Sequence, residues 1–230
     1  MRIVVFGAGG FVGGWICEEI AARDDIELLA CIRNWASAVR IARRGVPIAR
    51  VDLTEAEMLA AAVAGADVVV NAMMPPPGRE AEIADGLLAA CMRAGVARFI
   101  HFSSIAVYGE QTGTLDETAA LSARDDYGRG KARTEARLIE RSRAGQTQLV
   151  ILRPSIIYGS FSETWTVRFA QRIVRHRWHG FGAAGAGTCN LVHARDVVRA
   201  VLAAAQAPQA HEPLILNVNG PEAVTWNEYV

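Results

Sequence analysis

The sequence has almost no lysine. Of its 24 basic residues, 23 are arginine and one, Lys131, is lysine. Because arginine serves wherever a plain positive charge suffices, a position that keeps lysine is expected to need a compact ammonium whose pKa can move. The 24 acidic residues bring the formal net charge to zero. The sequence therefore lacks the basic excess of nucleic-acid-binding proteins, and we expect no nucleic-acid partner.

Clustered cysteines and long apolar runs are absent as well. The four cysteines lie far apart and match no metal-ligand spacing, so no metal site is expected. Scattered thiols fit a reducing cytoplasm, where we expect the protein to work. The apolar run after Arg2 is broken by glycines and is shorter than the ~20 residues that span a bilayer. We expect a small-molecule substrate and no membrane partner, with a homodimer as one assembly to consider.

Short runs of Val and Ile alternate with longer stretches rich in Ala and Arg. This βαβ rhythm predicts an α/β fold of Rossmann type with a doubly wound parallel sheet. We predict a dinucleotide-binding domain over 1–158, to which a strand at 214–218 returns, and part of a small C-terminal substrate lobe over 159–230. Thr225 and Glu228 form a capping-box pair that predicts a final helix, so either a short helix ends the protein or the chain is truncated. The predicted strands cover 2–6, 26–32, 48–51, 67–71, 98–102, 149–152 and 214–218, and the predicted helices 11–22, 35–44, 55–64, 79–94, 126–144, 163–176 and 194–206.

A glycine-rich turn links the first predicted strand to the first predicted helix. Gly7, Gly10 and Gly13 fit the spacing G-x-x-G-x-x-G, whereas the third glycine of G-x-G-x-x-G would fall on Val12. Such glycines permit a tight strand exit, close approach of backbone N–H groups to a pyrophosphate and close helix–strand packing. Because the turn opens a βα series, it predicts a dinucleotide site, with Phe11 and Val12 at the helix N-terminus as further contacts.

The residue after the second predicted strand is expected to read the adenosine ribose. An acidic residue there selects NAD, but this chain has Arg33, whose guanidinium suits the 2′-phosphate of NADP. Arg40, Arg43 and Arg44 nearby are expected to reinforce this contact. The alternative is that Arg33 is a solvated surface residue. NADP is therefore favoured over NAD, which stays open. Further cofactor contacts are expected after the third and fourth predicted strands, at Asp52, Leu53, Asn71, Ala72 and Met73.

Tyr127 and Lys131 are spaced i and i+4 on a predicted helix, so both can face the same side. An ammonium beside a phenol favours the phenolate and lowers its pKa from about 10, so Tyr127 can exchange a proton while hydride moves at carbon. The alternative is an ordinary pair of helix surface residues.

Ser103 and Ser104 follow a predicted strand at its C-terminal end. Parallel sheets bind ligands at such ends, where a hydroxyl can bond a substrate oxygen.

These motifs together resemble the extended short-chain dehydrogenase/reductases, the NAD(P)-dependent epimerase/dehydratase group. The resemblance implies that Ser104 is the catalytic serine with Ser103 beside it, that Tyr127 is the acid/base, and that Lys131 lowers the pKa of Tyr127 and holds the nicotinamide ribose. The family usually has Pro and Ser where this chain has Asp126 and Gly130, which removes no reacting group. The motifs that carry the resemblance are Gly7/Gly10/Gly13, Ser103-Ser104 before Val107-Tyr108-Gly109, Tyr127/Lys131, and the segments 153–159, 191–197 and 217–220.

The reaction is left open by the sequence. Dehydratases of this family carry an Asp-Glu pair where this chain has Ile105-Ala106, so dehydration is disfavoured. We expect hydride transfer at a hydroxyl or keto carbon of a sugar nucleotide or related substrate. The alternatives are an NADPH-dependent reductase of a small carbonyl compound and a non-catalytic dinucleotide sensor. Tyr158 and Arg172 are candidate substrate contacts, and the basic stretch around Arg172, up to His179, is either a diphosphate site or a solvated helix face.

Overall fold

The computed structural model describes residues 1–175 and 181–229. Seven strands form one parallel sheet, and three others form a small second sheet. In chain order the strands are β1 (Arg2–Phe6), β2 (Glu27–Ile32), β3 (Ile48–Arg50), β4 (Val68–Asn71), β5 (Arg98–Phe102), β6 (Gln148–Pro154), β7 (Ile156–Tyr158), β8 (Thr188–His193), β9 (Leu214–Val218) and β10 (Ala223–Thr225). The large sheet has the order β3-β2-β1-β4-β5-β6-β9, and the small one has the order β10-β8-β7.

Eight α-helices accompany these strands within the described residues. They are α1 (Phe11–Ile20), α2 (Val39–Ala42), α3 (Ala56–Val63), α4 (Glu80–Ala94), α5 (Asp126–Ser142), α6 (Arg168–Val174), α7 (Ala194–Gln206) and α8 (Trp226–Tyr229). Short 3-10 turns cover Trp35–Ala38, Ile105–Tyr108 and Gly182–Ala186, and a single π turn covers Glu163–Val167. Across the described ranges, we find no helix long and apolar enough to cross a membrane.

The large sheet is buried on both faces. In β1, Ile3 and Val5 belong to one apolar cluster, whereas Val4 and Phe6 belong to the other. Helices α1 and α7 cover the first face, and α3, α4 and α5 cover the second. Strands covered on both sides read as continuous apolar runs, which is why Val- and Ile-rich segments predicted them. The predicted Rossmann-type parallel sheet is confirmed.

The strand order reverses beside β1. The chain moves outward through β2 and β3, and then returns to add β4, β5, β6 and β9 on the other side. Ligands of open α/β sheets bind at the carboxyl ends of the strands next to such a reversal. Gly7 follows β1 there, and Ala72 follows β4. The fold therefore places the predicted glycine turn directly beside the predicted Asn71–Met73 segment at this reversal.

The chain after residue 158 contributes to both sheets. Strand β9 pairs in parallel with β6, Leu216 lying opposite Leu152, while β8 and β10 build the small sheet.

The predicted capping box before α8 is formed. Thr225 Oγ1 accepts a bond from the N–H of Glu228, and the Glu228 carboxylate accepts one from the N–H of Thr225. The division into two domains stays a prediction. His176, Arg177 and His179 of the predicted basic stretch lie outside the described residues.

Candidate active site

The glycine turn is shaped by close backbone contacts. Gly7 has φ +84°, and a Cβ there would lie 2.7 Å from the carbonyl carbon of Ala72. A Cβ on Gly13 would lie 2.2 Å from the carbonyl oxygen of Gly7, so α1 packs directly on the turn. The Gly10 N–H donates to the Gly7 carbonyl at 2.9 Å. The turn therefore requires small residues at the predicted positions, and of these Gly10 is exposed.

The N-terminus of α1 has no capping side chain. Gly10 holds the N-cap position, and the first turn contains no acidic residue. The first N–H groups of a helix have no partner inside the helix and are normally capped by side chains or bound to anions. The backbone N–H groups of Phe11, Val12 and Gly13 are thus left for an anionic ligand. This arrangement fits the pyrophosphate of a dinucleotide.

Arg33 is exposed at the end of β2 and, in the described part of the chain, pairs with no carboxylate. Asn34 next to it caps the following turn, since its Oδ1 accepts the N–H of Ser37 at 3.2 Å. Ser37 lies against Gly9 of the glycine turn. Arg40, which the sequence suggested as a helper of Arg33, instead pairs with Glu18 at 2.5 Å.

Asp52 follows β3 at the same edge of the sheet. Its Oδ1 accepts bonds from the backbone N–H of Thr54 at 3.0 Å and from the Thr54 hydroxyl at 2.8 Å. These two bonds hold the pKa of Asp52 below its usual value. The carboxylate stays ionised and keeps its second oxygen for a ligand. Leu53 beside it packs partly into the core.

Asn71 at the end of β4 is engaged inside the protein. Its Nδ2 donates to Nδ1 of His101 at 3.1 Å, and its Oδ1 accepts the N–H of Met73 at 3.3 Å. The His101 proton is therefore assigned to Nε2, which has no partner in the described part of the chain. Burial, and then the nearby Lys131 ammonium, lower the pKa of His101 well below its usual value, so this ring is neutral. The expected ribose contacts of Asn71, Ala72 and Met73 stay predictions.

Tyr127 and Lys131 lie one turn apart on α5. This helix begins at Asp126 because the Asp125 carboxylate accepts the N–H of Gly128 at 2.8 Å. Tyr127 is 48% exposed and Lys131 only 4%. The Lys131 ammonium lies 5.7 Å from the centre of the Tyr127 ring. The structure thus brings the two predicted residues together, one open to solvent and the other buried.

The Lys131 ammonium is held by two acceptors. Its Nζ donates to the carbonyl oxygen of Phe102 at 2.8 Å and to Oε1 of Glu80 at 2.6 Å. Phe102 is the last residue of β5 and directly precedes Ser103. An ammonium has three N–H donors, so one remains for a ligand. Lys131 therefore links α5, the start of α4 and the end of β5.

The two serines differ in their surroundings. Ser103 is buried, and its Oγ has no partner in the part of the chain that the structure describes. Ser104 is half-buried and caps the turn Ile105–Tyr108, its Oγ accepting the N–H of Ala106 at 3.2 Å. A hydroxyl that accepts one bond can still donate its own proton. Ser104 is therefore equipped to donate to a substrate oxygen.

A buried ion pair fixes α5 against the sheet. Arg153 of β6 donates from Nε and Nη2 to the two carboxylate oxygens of Glu135, at 3.0 and 2.7 Å. Its Nη1 donates to the hydroxyl of Tyr108, which in turn donates to Asn217 of β9. Burial alone would lower the pKa of Arg153, but the bonds with Glu135 and Tyr108 raise it. This network sets where α5 presents Tyr127.

The two candidate substrate residues lie in different settings. Tyr158 packs edge-on against His193, with ring centres 5.1 Å apart. His193 caps α7 by accepting the N–H of Arg195 at 3.2 Å. Arg172 on α6 lines a surface hollow of about 550 Å³ together with Glu163, Arg168, Gln171 and Arg175. Their contact with a substrate stays a prediction.

Sequence reasoning missed two residues of this site. Glu80 and His101 both contact or face Lys131, yet neither stands in a recognisable motif. Glu80 is one of many acidic residues at the start of a helix, and His101 lies inside a buried strand. Their roles depend on how α4 and β5 pack against α5, which has no local signal.

Comparison with known proteins identifies the family. The model of the NAD dependent epimerase/dehydratase family matches residues 3–219. A UDP-glucose 4-epimerase of Vibrio cholerae is 29% identical over 135 residues, which cover 57% of this chain and 41% of that protein. A 2-alkyl-3-oxoalkanoate reductase of Stenotrophomonas maltophilia is 28% identical over 187 residues, covering 75% of this chain and 56% of that one. The chain thus spans about half the length of these relatives.

Solved structures agree with the fold. The UDP-glucuronic acid 4-epimerase of Bacillus cereus, in complex with UDP-glucuronic acid and NAD, superimposes with a TM-score of 0.86 at 20% identity. The superposition covers 98% of this chain and 79% of that one. The expected resemblance is confirmed: with a matching family model over nearly all of its length, this chain belongs to the NAD dependent epimerase/dehydratase family.

Proposed function

We propose that this chain is an NAD(P)-dependent oxidoreductase or epimerase that transfers hydride at a hydroxyl or keto carbon of a sugar nucleotide or related substrate. One observation carries the proposal. The buried Lys131 ammonium binds the carbonyl directly ahead of Ser103-Ser104 and lies 5.7 Å from the ring of Tyr127. These contacts support a site in which Tyr127 is the proton donor, Ser104 supplies a hydroxyl and Lys131 supplies a fixed positive charge.

A dinucleotide fits the residues at this edge of the sheet. The uncapped N–H groups of Phe11 and Val12 would hold its pyrophosphate, and the free N–H of Lys131 would hold the nicotinamide ribose. When bound, the cofactor supplies the hydride acceptor or donor. Arg33, exposed and unpaired with any carboxylate in the described ranges, supports a preference for NADP.

The proton chemistry belongs to the chain itself. The Tyr127 hydroxyl exchanges a proton with the substrate oxygen, and the exposure of the residue leaves that hydroxyl accessible. The Ser104 hydroxyl donates to the same oxygen and stabilises charge that develops there. The Lys131 ammonium favours the transient phenolate by Coulomb attraction. Each group acts at a strand end or helix turn that the surrounding network keeps fixed.

The substrate class is supported by the relatives. A sugar nucleotide is named as substrate in the Vibrio protein and is bound in the Bacillus structure. The second candidate is an NADPH-dependent reductase of a small carbonyl compound, which Arg33 and the Stenotrophomonas reductase favour. The cofactor released on denaturation separates the two. Tightly held NAD⁺ supports an epimerase, and exchangeable NADPH supports a reductase.

The decisive variant is Tyr127→Phe. We expect turnover to fall at least about a hundredfold, the contribution typical of general acid–base catalysis, while the dissociation constant of the cofactor changes less than about threefold. Tyr229→Phe is the matched control, because its hydroxyl bonds to the carbonyl of Trp165. Unchanged turnover in Tyr127→Phe would refute the role of Tyr127 as acid/base. A wild-type protein that binds no dinucleotide would refute the whole proposal.

A further inference from the structure

Lys131 carries its own counterion. The Glu80 carboxylate bonds to its Nζ at 2.6 Å, and the two side chains are only 17% and 5% exposed. Glu80 is the first residue of α4, where the helix dipole stabilises a carboxylate. A pair this well shielded from water interacts far more strongly than a surface pair. Glu80 therefore offsets part of the positive charge beside Tyr127 before any ligand binds.

The other groups around Lys131 leave this balance to Glu80. His101 on β5 is held neutral by burial and by the ammonium itself. Tyr127 on α5 faces the ammonium with its ring, whose centre lies 5.7 Å from Nζ. Glu82, two residues after Glu80, points to solvent and pairs with Arg79 at 2.8 Å. Among the described residues, Glu80 is the one carboxylate bonded to Lys131.

We propose that Glu80 is a positioning residue that acts through Lys131 in two ways. It fixes the ammonium so that its third N–H points to the cofactor, and it offsets part of the ammonium's charge. The inference rests on the proposed function, because it concerns a nicotinamide ring beside Lys131. Oxidised nicotinamide is positively charged and reduced nicotinamide is neutral. An uncompensated ammonium would therefore disfavour the oxidised form, and Glu80 allows the site to hold both.

The ratio of two dissociation constants measures this role. The ratio is the dissociation constant of the oxidised cofactor divided by that of the reduced cofactor. Fluorescence or calorimetric titration gives both constants, with NAD⁺/NADH and NADP⁺/NADPH as probes. Glu80→Gln keeps the shape of the side chain and removes its charge. We expect the ratio to rise about tenfold, as for one charge acting across a partly buried site. Glu82→Gln is the matched control and should leave the ratio within twofold.

Two further variants separate charge from position. Glu80→Asp keeps the charge on a shorter stem, so both constants should rise by the same factor and their ratio should stay within twofold. Glu80→Gln combined with Lys131→Met removes both charges, so its ratio should return to within about threefold of the wild-type value. This double variant leaves no unpaired buried charge, so even if Glu80→Gln does not fold, a ratio shifted tenfold in the double variant still overturns the inference.

The outcomes are distinct. If Glu80→Gln melts like the wild type and its ratio stays within twofold, Glu80 does not balance Lys131 and the inference is overturned. The inference is also overturned if the ratio of Glu80→Gln/Lys131→Met differs tenfold from that of the wild type. If the wild type binds neither form of either dinucleotide, the proposed function fails instead. A merely structural role of Glu80 would change both constants together and leave the ratio alone.

Discussion

Removing one member of the buried Arg153–Glu135 pair should destabilise the protein strongly. The side chains are 3% and 1% exposed and share two hydrogen bonds. Arg153→Met leaves the Glu135 carboxylate buried without its partner. Breaking a buried pair in this way costs about 3–5 kcal/mol. For a domain of this size, such a loss lowers the melting temperature by roughly 6–20 °C.

The double variant Arg153→Met/Glu135→Leu should recover much of that loss. Replacing both charges by apolar side chains of similar volume leaves no unpaired charge and is often neutral. Tyr108 keeps its bond to Asn217 at 2.8 Å, so its hydroxyl remains satisfied. We expect the double variant to be at least about 2 kcal/mol more stable than Arg153→Met alone, which corresponds to strong coupling between neighbours.

Urea unfolding followed by circular dichroism provides the measurement, because the midpoint and the slope together report stability. Arg199→Met is the control. Arg199 also forms an ion pair, with Asp196 at 2.8 Å, but its side chain is 72% exposed, and such pairs contribute about 0–1 kcal/mol. If Arg153→Met is no more destabilised than Arg199→Met, or if the double variant loses the sum of the single losses, the buried pair does not hold α5 as described.

Three further predictions concern the cofactor, the packing of α5 and acid stability. Arg33→Ala should weaken NADP binding about tenfold and NAD binding less than twofold, as titration with both cofactors would show; equal weakening would contradict a 2′-phosphate contact. Gly130→Ala should stabilise the protein by up to about 1 kcal/mol, because the added Cβ would meet open space. Gly128→Ala should destabilise the protein, because the added Cβ would lie 2.5 Å from a backbone carbonyl oxygen. Melting temperatures in the opposite order would refute this packing. Burial alone would raise the pKa of Asp85, but hydrogen bonds from Arg141 and a second arginine outweigh it and lower that pKa. The stability that Asp85 contributes is therefore fully present above the pKa of the unfolded state, near 4, and is lost as the pH falls through the lower pKa of the folded state. Asp85→Asn should therefore make the free energy of unfolding fall less steeply with acidification.

The large sheet was predictable because its strands are buried on both faces. Runs such as Ile3–Phe6 stay apolar whichever face they present, so their composition alone indicates a strand. The small sheet escaped prediction for the opposite reason. Strand β7 has three half-buried residues, and β8 follows a glycine-rich segment. Their pairing depends on contacts between distant parts of the chain, which no local pattern encodes.

The same limit applies within the site. Tyr127 and Lys131 were predictable because their spacing on one helix is local and the lysine is unique. The carboxylate that binds Lys131 comes from 51 positions earlier and from another helix. Likewise, Arg40 looked like a helper of Arg33 from its charge, but its place on α2 carries it to Glu18 on α1. Short-range spacing predicts which residues can act, and packing decides which of them meet.

The buried polar groups of this chain separate into closed and open networks. Arg153 and Glu135 satisfy each other and the neighbouring Tyr108, which suits a network whose task is to hold α5 in place. The groups at the carboxyl end of β5 are left incomplete in the described part of the chain: Lys131 keeps one free donor, and Nε2 of His101 and Oγ of Ser103 have no partner. Unsatisfied buried polar atoms cost free energy, so two of them beside a free ammonium donor at one strand end are difficult to explain by stability alone. A ligand that completes these bonds accounts for them. It would bind at the carboxyl end of β5, where Lys131, the single lysine of the sequence, lies next to Tyr127.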